Sequence, residues 1–193
     1  LTHIGAFLLS IFVDHSNLGK SGSDFMWCVL KCRPGRAEEI MASCRKTIPG
    51  RIMQDIFVFT YDRMKRYQGA WHVEKKMLFP DYIFMETDDI TALSQQLEPY
   101  REFTLVLEDR TMLRRVEPEE ETFLRKLGGP DHHLEMSVGY IRDGVTHVVE
   151  GPLVGMERRI CKIDRHKRIA NILIPAGGLE KSLTAGLEIT AKN

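Results

Sequence analysis

Residues 147–174 read His-Val-Val-Glu-Gly-Pro-Leu-Val-Gly-Met-Glu-Arg-Arg-Ile-Cys-Lys-Ile-Asp-Arg-His-Lys-Arg-Ile-Ala-Asn-Ile-Leu-Ile. An apolar run enters the turn Gly151-Pro152-x-x-Gly155. A second run, Arg159 to Ile163, continues at period two, and the polar tip Asp164 to Arg168 separates it from a third run, Ile169 to Ile174. Short β-branched runs joined by a glycine turn and a charged turn predict a small antiparallel meander. Between Glu157 and Arg168 six Lys/Arg stand against two acids. A compact β-module with a cationic edge is suited to a phosphate backbone.

The rest of the chain makes that charge local. The 193 residues carry 27 basic and 27 acidic side chains, so the protein is not a polycation. From residue 139 onward nine Lys/Arg face six Asp/Glu, and most of the surplus lies in the window above. Residues 26–130 balance, with seventeen of each sign. Cys28, Cys32, Cys44 and Cys161 form no C-x-x-C pair, and they read as buried or reduced thiols. His132 and His133 are adjacent in a Gly/Pro/Asp-rich stretch. Their side chains diverge, so they read as linker histidines rather than a shared metal site.

Ile4 to Val13 is too short for a membrane span and lacks the basic flank of a signal peptide. Residues 14–24 have linker composition, and 1–25 read as an extension outside the folded core. Gly19-Lys20-Ser21 lacks the upstream glycine of a phosphate loop. From Met26 the pattern alternates. Met26–Lys31 predicts a strand and Ala37–Lys46 an amphipathic helix ending at Pro49. Ile52–Tyr61 predicts a second strand. Arg63–Lys76 predicts a polar hairpin turning at Gln68-Gly69, carrying Lys65, Arg66, Lys75 and Lys76. Met77–Thr87 predicts a strand broken by Pro80, and Asp88-Asp89 cap a helix running to Pro99. Phe103–Leu107 predicts another strand. Pro118 opens a last helix, with acids at its start and Arg125 and Lys126 at its end. After a Gly/Pro/His linker come five short strands. This is an α+β chain in two domains: 26–129, a linker 130–138, and a small unit 139–193 of SH3-like barrel size.

At this point two blocks resemble a known family. Trp27-Cys-Val-Leu30, Arg33-x-Gly35-x-x-Glu38-Glu39 and Leu78-Phe-Pro-Asp-Tyr-Ile-Phe84 are similar to the N-terminal domain of the NusG transcription elongation factors, an α/β sandwich. Gly151-Pro-Leu-Val-Gly-Met-Glu-Arg-Arg-Ile160 is similar to their KOW motif. The likeness covers roughly residues 26–193. Within the family the Lys-Cys-Arg-Pro-Gly opening and the basic 162–168 stretch are most similar to LoaP, a specialised antitermination paralogue.

The resemblance implies a cytoplasmic, monomeric, non-enzymatic factor without metal or cofactor. It would dock on the clamp helices of RNA polymerase and suppress pausing or termination. The docking residues implied are Trp27, Phe79, Pro80, Tyr82 and Phe84. Tyr82 and Phe84 share one strand face by alternation. Phe84 fits a core position as well as an interface one, whereas Phe79 and Tyr82, beside Pro80, fit the interface. The four hairpin cations are placed either to reach upstream DNA or merely to be solvated. In housekeeping members the KOW unit recruits Rho or a ribosomal protein, with an aromatic after the Gly-Pro. Leu153 departs from that pattern, which weakens the case for such recruitment and leaves a general elongation factor recruiting Rho or the ribosome as the alternative. The added cations Arg158, Arg159, Lys162, Arg165, His166, Lys167 and Arg168 point instead to a nascent RNA hairpin, four or five of them on one surface. A solvated basic edge is the plainer alternative. No paired carboxylates or nucleophile–base set argues for catalysis.

Overall fold

The computed structural model describes residues 25–105, 111–175 and 181–192. The apolar run Ile4–Val13, Gly19-Lys20-Ser21, the end of the 103–107 stretch and the glycine turn at 176–178 lie outside the described residues. The first elements are β1 (Met26–Lys31), α1 (Ala37–Thr47), β2 (Asp55–Phe57), β3 (Thr60–Tyr67), β4 (Ala70–Met77) and β5 (Tyr82–Thr87). Then come α2 (Ile90–Leu97), a 3-10 turn (Glu98–Phe103), β6 (Leu113–Arg115) and α3 (Pro118–Gly128). The last are β7 (His133–Leu134), β8 (Ser137–Arg142), β9 (Val145–Glu150), a 3-10 turn (Glu157–Arg159), β10 (Ile160–Asp164), β11 (Ile169–Ile174) and β12 (Lys181–Lys192).

Local chemistry explains most of these boundaries. Helix α1 buries Ala37, Ile40 and Cys44 on one face, with Glu38 and Glu39 at its positive end and Arg45 and Lys46 at its negative end. Asp89 caps α2 by accepting from the backbone N–H groups of Thr91 at 3.0 Å and Ala92 at 2.9 Å. The β3–β4 turn needs positive φ at both central residues, and Gln68 (φ 52) and Gly69 (φ 78) adopt it. That is the hairpin turn whose twist matches its strands.

Two compact units form. One contains the described residues of 25–58 and 79–117, the other those of 59–78 and 118–192. The first unit is built on a four-stranded antiparallel sheet in the order β2-β5-β1-β6. The second holds a three-stranded sheet, β4-β3-β7, and a five-stranded sheet, β10-β11-β12-β8-β9. The hairpin therefore groups with the C-terminal strands rather than with the block that surrounds it in sequence, and the unit boundary differs from the expected 26–129 division.

Several expectations are corrected. The run Ile52–Tyr61 is two strands in two sheets, because the chain leaves the first sheet at Val58 and Phe59 turns inward to be buried. Met77–Thr87 likewise splits into the end of β4, a turn with Asp81 at φ 67, and β5. In place of a strand from Phe103, the 3-10 turn runs to that residue and Thr104 makes a single bridge to Cys32. Strand β6, only three residues long, is too short to show a period. The 130–138 stretch is structured: β7 pairs in parallel with β3, and His133 bonds Thr60 Oγ1 through Nδ1 (2.8 Å) and Asp62 through Nε2 (3.1 Å). His132 lies edge-on to Phe59. The meander of 147–174 is also rearranged. β10 pairs with β11, but β9 pairs with β8, and β12 rather than β9 is the second neighbour of β11.

Candidate nucleic-acid interface

The cationic window owes its geometry to one irregularity. Ile160 and Ile163 both belong on the inner face, yet they are three positions apart, which a regular strand cannot satisfy. The β10–β11 register shifts between Ile160 and Lys162, so Ile160 opposes the buried Ile172 and Ile163 opposes the buried Ala170. This β-bulge places Cys161 and Lys162 together on the solvent side. The expected period-two run through 159–163 is therefore broken. The tip beyond β10 is held by Asp164, whose carboxylate accepts from the Lys167 backbone N–H at 3.0 Å and lies 3.5 Å from Lys167 Nζ. The backbone hydrogen bond from Lys167, aided by its charge, holds the Asp164 carboxyl below its ordinary range. Arg168 closes the tip in the left-handed region, at φ 51.

The seven cations are not equivalent. The Arg168 guanidinium stands 4.1 Å from the ring centroid of Trp71 and its Nη1 lies 3.0 Å from Glu188 Oε1. The Arg159 guanidinium lies over Phe123 and donates to the Leu173 carbonyl. Both are engaged within the protein, which leaves five of the seven cations free of such ring contacts among the described residues. Lys167 is tied to its own turn but remains exposed. Arg158, Lys162, Arg165 and His166 are exposed, and their side chains have no ion pair or hydrogen bond among the described residues. They remain the candidates for a polyanion.

The hairpin cations also divide. Register pairs Arg63 with Glu74, Lys65 with His72 and Arg66 with Trp71, so adjacent residues face opposite ways. Lys65 and Lys76 converge on Glu74, at 3.6 and 3.1 Å. Arg66 and Lys75 share the other face with Trp71. The four do not make one patch.

The aromatic block is corrected more sharply. Trp27, Phe79, Tyr82 and Phe84 are all buried, with Phe84 1% exposed, and of the five proposed docking residues only Pro80 is exposed. Trp27 meets Phe57 at 5.0 Å and Phe84 at 6.3 Å, Phe57 stacks on Phe84 at 5.7 Å, and Phe79 tilts against Phe84 at 5.6 Å. β1 and β5 are the two central strands of their sheet and bury both faces, Trp27–Leu30 and Tyr82–Met85 without interruption. Alternation cannot expose a ring there. The open aromatic surface expected at Phe79 and Tyr82 is a packed cluster.

Sequence searches return neither a protein-family model nor a curated protein that matches this chain. Structure comparison does. A solved structure described as domain interaction in Thermotoga maritima NusG superposes with a TM-score of 0.52 over 86% of this chain and 96% of that one, at 15% identity. The fold is NusG-like. An α/β unit and a C-terminal five-stranded sheet are consistent with a NusG-type N-terminal domain followed by a KOW-like one.

Within the NusG-like frame, Leu153 stands where the KOW loop of the resemblance carries an aromatic. It is fully buried, and its N–H donates to Ser137 Oγ at 3.2 Å. That side chain is core and offers no contact to a partner. The loop is fastened again by Glu157, whose Oε1 accepts from the Val148 N–H at 3.2 Å. Backbone hydrogen bonds hold the Glu157 carboxyl below its ordinary value of 4.5. Cys28, Cys32 and Cys44 are buried and Cys161 is exposed on the bulge, all four as free cysteines. Burial pushes the Cys44 thiol up to about 11. Among the described residues no three His, Cys, Asp or Glu gather as a metal site requires, and no helix is long and apolar enough to cross a membrane. Sequence reasoning missed Trp71 and Glu188. Their roles arise only from contact with Arg168, which no local pattern signals.

Proposed function

We propose that this chain is a transcription elongation factor that docks on RNA polymerase and suppresses pausing or termination. Its KOW-like unit reads a leader RNA hairpin, in the manner of a LoaP-type antitermination paralogue. The observation that carries the reading is the pairing of a NusG-like fold with an exposed cationic group, Arg158, Lys162, Arg165 and His166, on the KOW-like unit. Guanidinium and ammonium groups left in solvent suit phosphate, and structured RNA presents backbone and shape more than readable groove edges. The burial of Leu153 speaks against recruitment of Rho or a ribosomal protein through that side chain.

Polymerase docking rests on the fold and on the family resemblance of the 78–84 block. Trp27, Phe79, Tyr82 and Phe84 then act as the packed support of a docking face rather than as its contact atoms. Lys65 and Lys76, which share the single carboxylate of Glu74, are assigned no nucleic acid. The test is crosslinking of bound RNA in cells, followed by sequencing, on material that co-purifies with polymerase. One enriched leader is the expected outcome. Transcriptome-wide spread points to a general elongation factor, and absence of polymerase sinks the docking reading.

A further inference from the structure

The Arg168–Trp71 contact joins two cationic segments that are remote in sequence. Trp71 belongs to β4 of the hairpin, and Arg168 closes the tip of the C-terminal sheet. Both lie in the same compact unit. On the hairpin, Arg66 is directly opposite Trp71 and shares its face. Directly opposed side chains start roughly 5 Å apart at Cβ. Arg66 is exposed and has no ion pair among the described residues. At the other end of the contact stand Arg165, His166 and Lys167, all exposed. The acids nearby are already engaged: Glu188 with Arg168, and Asp164 with the Lys167 backbone. The hairpin is held at close range elsewhere too. A Cβ on Gly186 of β12 would lie 2.5 Å from the Asp62 carbonyl oxygen of β3, so the two backbones approach as only glycine permits.

We infer that the RNA surface is composite: Arg66 of the hairpin joins Arg165 of the C-terminal tip across the Trp71–Arg168 stack. This rests on the RNA reading proposed above and adds a second segment to it. Arg66 is a phosphate contact. Trp71, Arg168 and Glu188 are positioning residues that fix the hairpin against the tip. A rigid pair of cationic segments matches a helical backbone better than a lone flexible turn, because less side-chain and segment freedom is lost on binding.

The test uses the full chain and a synthetic RNA stem–loop, with affinity followed across a salt series. Each lost phosphate contact lowers the slope of log affinity against log salt by about 0.7–0.9. Arg66→Ala and Arg165→Ala are each expected to lower it by that step. Lys65→Ala, on the opposite hairpin face, is expected to leave it unchanged. Trp71→Leu is expected to weaken binding several-fold, while Trp71→Phe, which keeps a stacking ring, recovers most of the affinity. Circular dichroism on each variant confirms that it is folded. The composite surface fails if Arg66→Ala behaves like Lys65→Ala while Arg165→Ala still lowers the slope. If no variant moves the slope, the RNA reading itself fails.

Discussion

In the four-stranded sheet, β1 and β5 lie at the centre and bury every residue of Trp27–Leu30 and Tyr82–Met85. In the five-stranded sheet, β10 lies at the edge and leaves Cys161 and Lys162 in solvent. Both stretches stood out in the sequence, one for its rings and one for its charges. Position within the sheet decides what each is available to do. A central strand with two covered faces turns distinctive side chains into packing. An edge strand with a bulge releases them, because the extra residue lets both half-buried isoleucines face the neighbouring strand's buried side chains while Cys161 and Lys162 stay outside.

The sharpest way to break that contrast is to truncate a ring in the central sheet. Phe84→Ala is expected to cost about 3–5 kcal/mol of unfolding free energy, since the ring contacts Trp27, Phe57 and Phe79 and is enclosed. Urea unfolding measures it, and a loss below ~1 kcal/mol would return Phe84 to the surface. Gly186→Ala is expected to cost about 1–3 kcal/mol, because the new methyl meets the Asp62 carbonyl and the Met136 side chain. The same measurement decides, and a neutral result would detach the hairpin from β12.

A smaller effect concerns the loop fastened by Glu157. Its folded pKa is depressed, so its stabilising contribution is fully present above the ordinary value of 4.5 and fades as pH falls through the lowered folded value. The stability difference between the native chain and Glu157→Gln should therefore shrink below about pH 4.5. A difference that stays constant from pH 7 to pH 3 would remove the carboxylate from that role. The mildest probe leaves the chain unmutated. Maleimide at neutral pH should label Cys161 rapidly and spare Cys28, Cys32 and Cys44, which are buried. Equal labelling of all four in the native state would erase the distinction between centre and edge.

Much of the local fold was legible. Asp89 before Ile90, the acid-to-base gradient of α1 and the Gln68-Gly69 turn are signals carried by neighbours in sequence, and the structure uses each of them. The candidate site was legible in part. The cationic density of 158–168 was visible, but the sorting of those cations was not. Arg168 and Lys167 are adjacent, yet one stacks on Trp71 and pairs with Glu188 while the other answers only to Asp164 within its own turn. The aromatic block misled because alternation identifies a face without saying whether that face is covered.

The sequence by itself determined the α+β class, the hairpin, the helix ends and the charge of the C-terminal tip, because these depend on backbone preference and on residues a few positions apart. Only the tertiary structure decided that Phe79 and Tyr82 are enclosed, that His133 bonds Thr60 and Asp62, and that the hairpin joins the C-terminal unit. Those outcomes depend on which strands become central and which segments meet. That choice is made by burying apolar area over the whole chain, a sum to which no single stretch holds the answer.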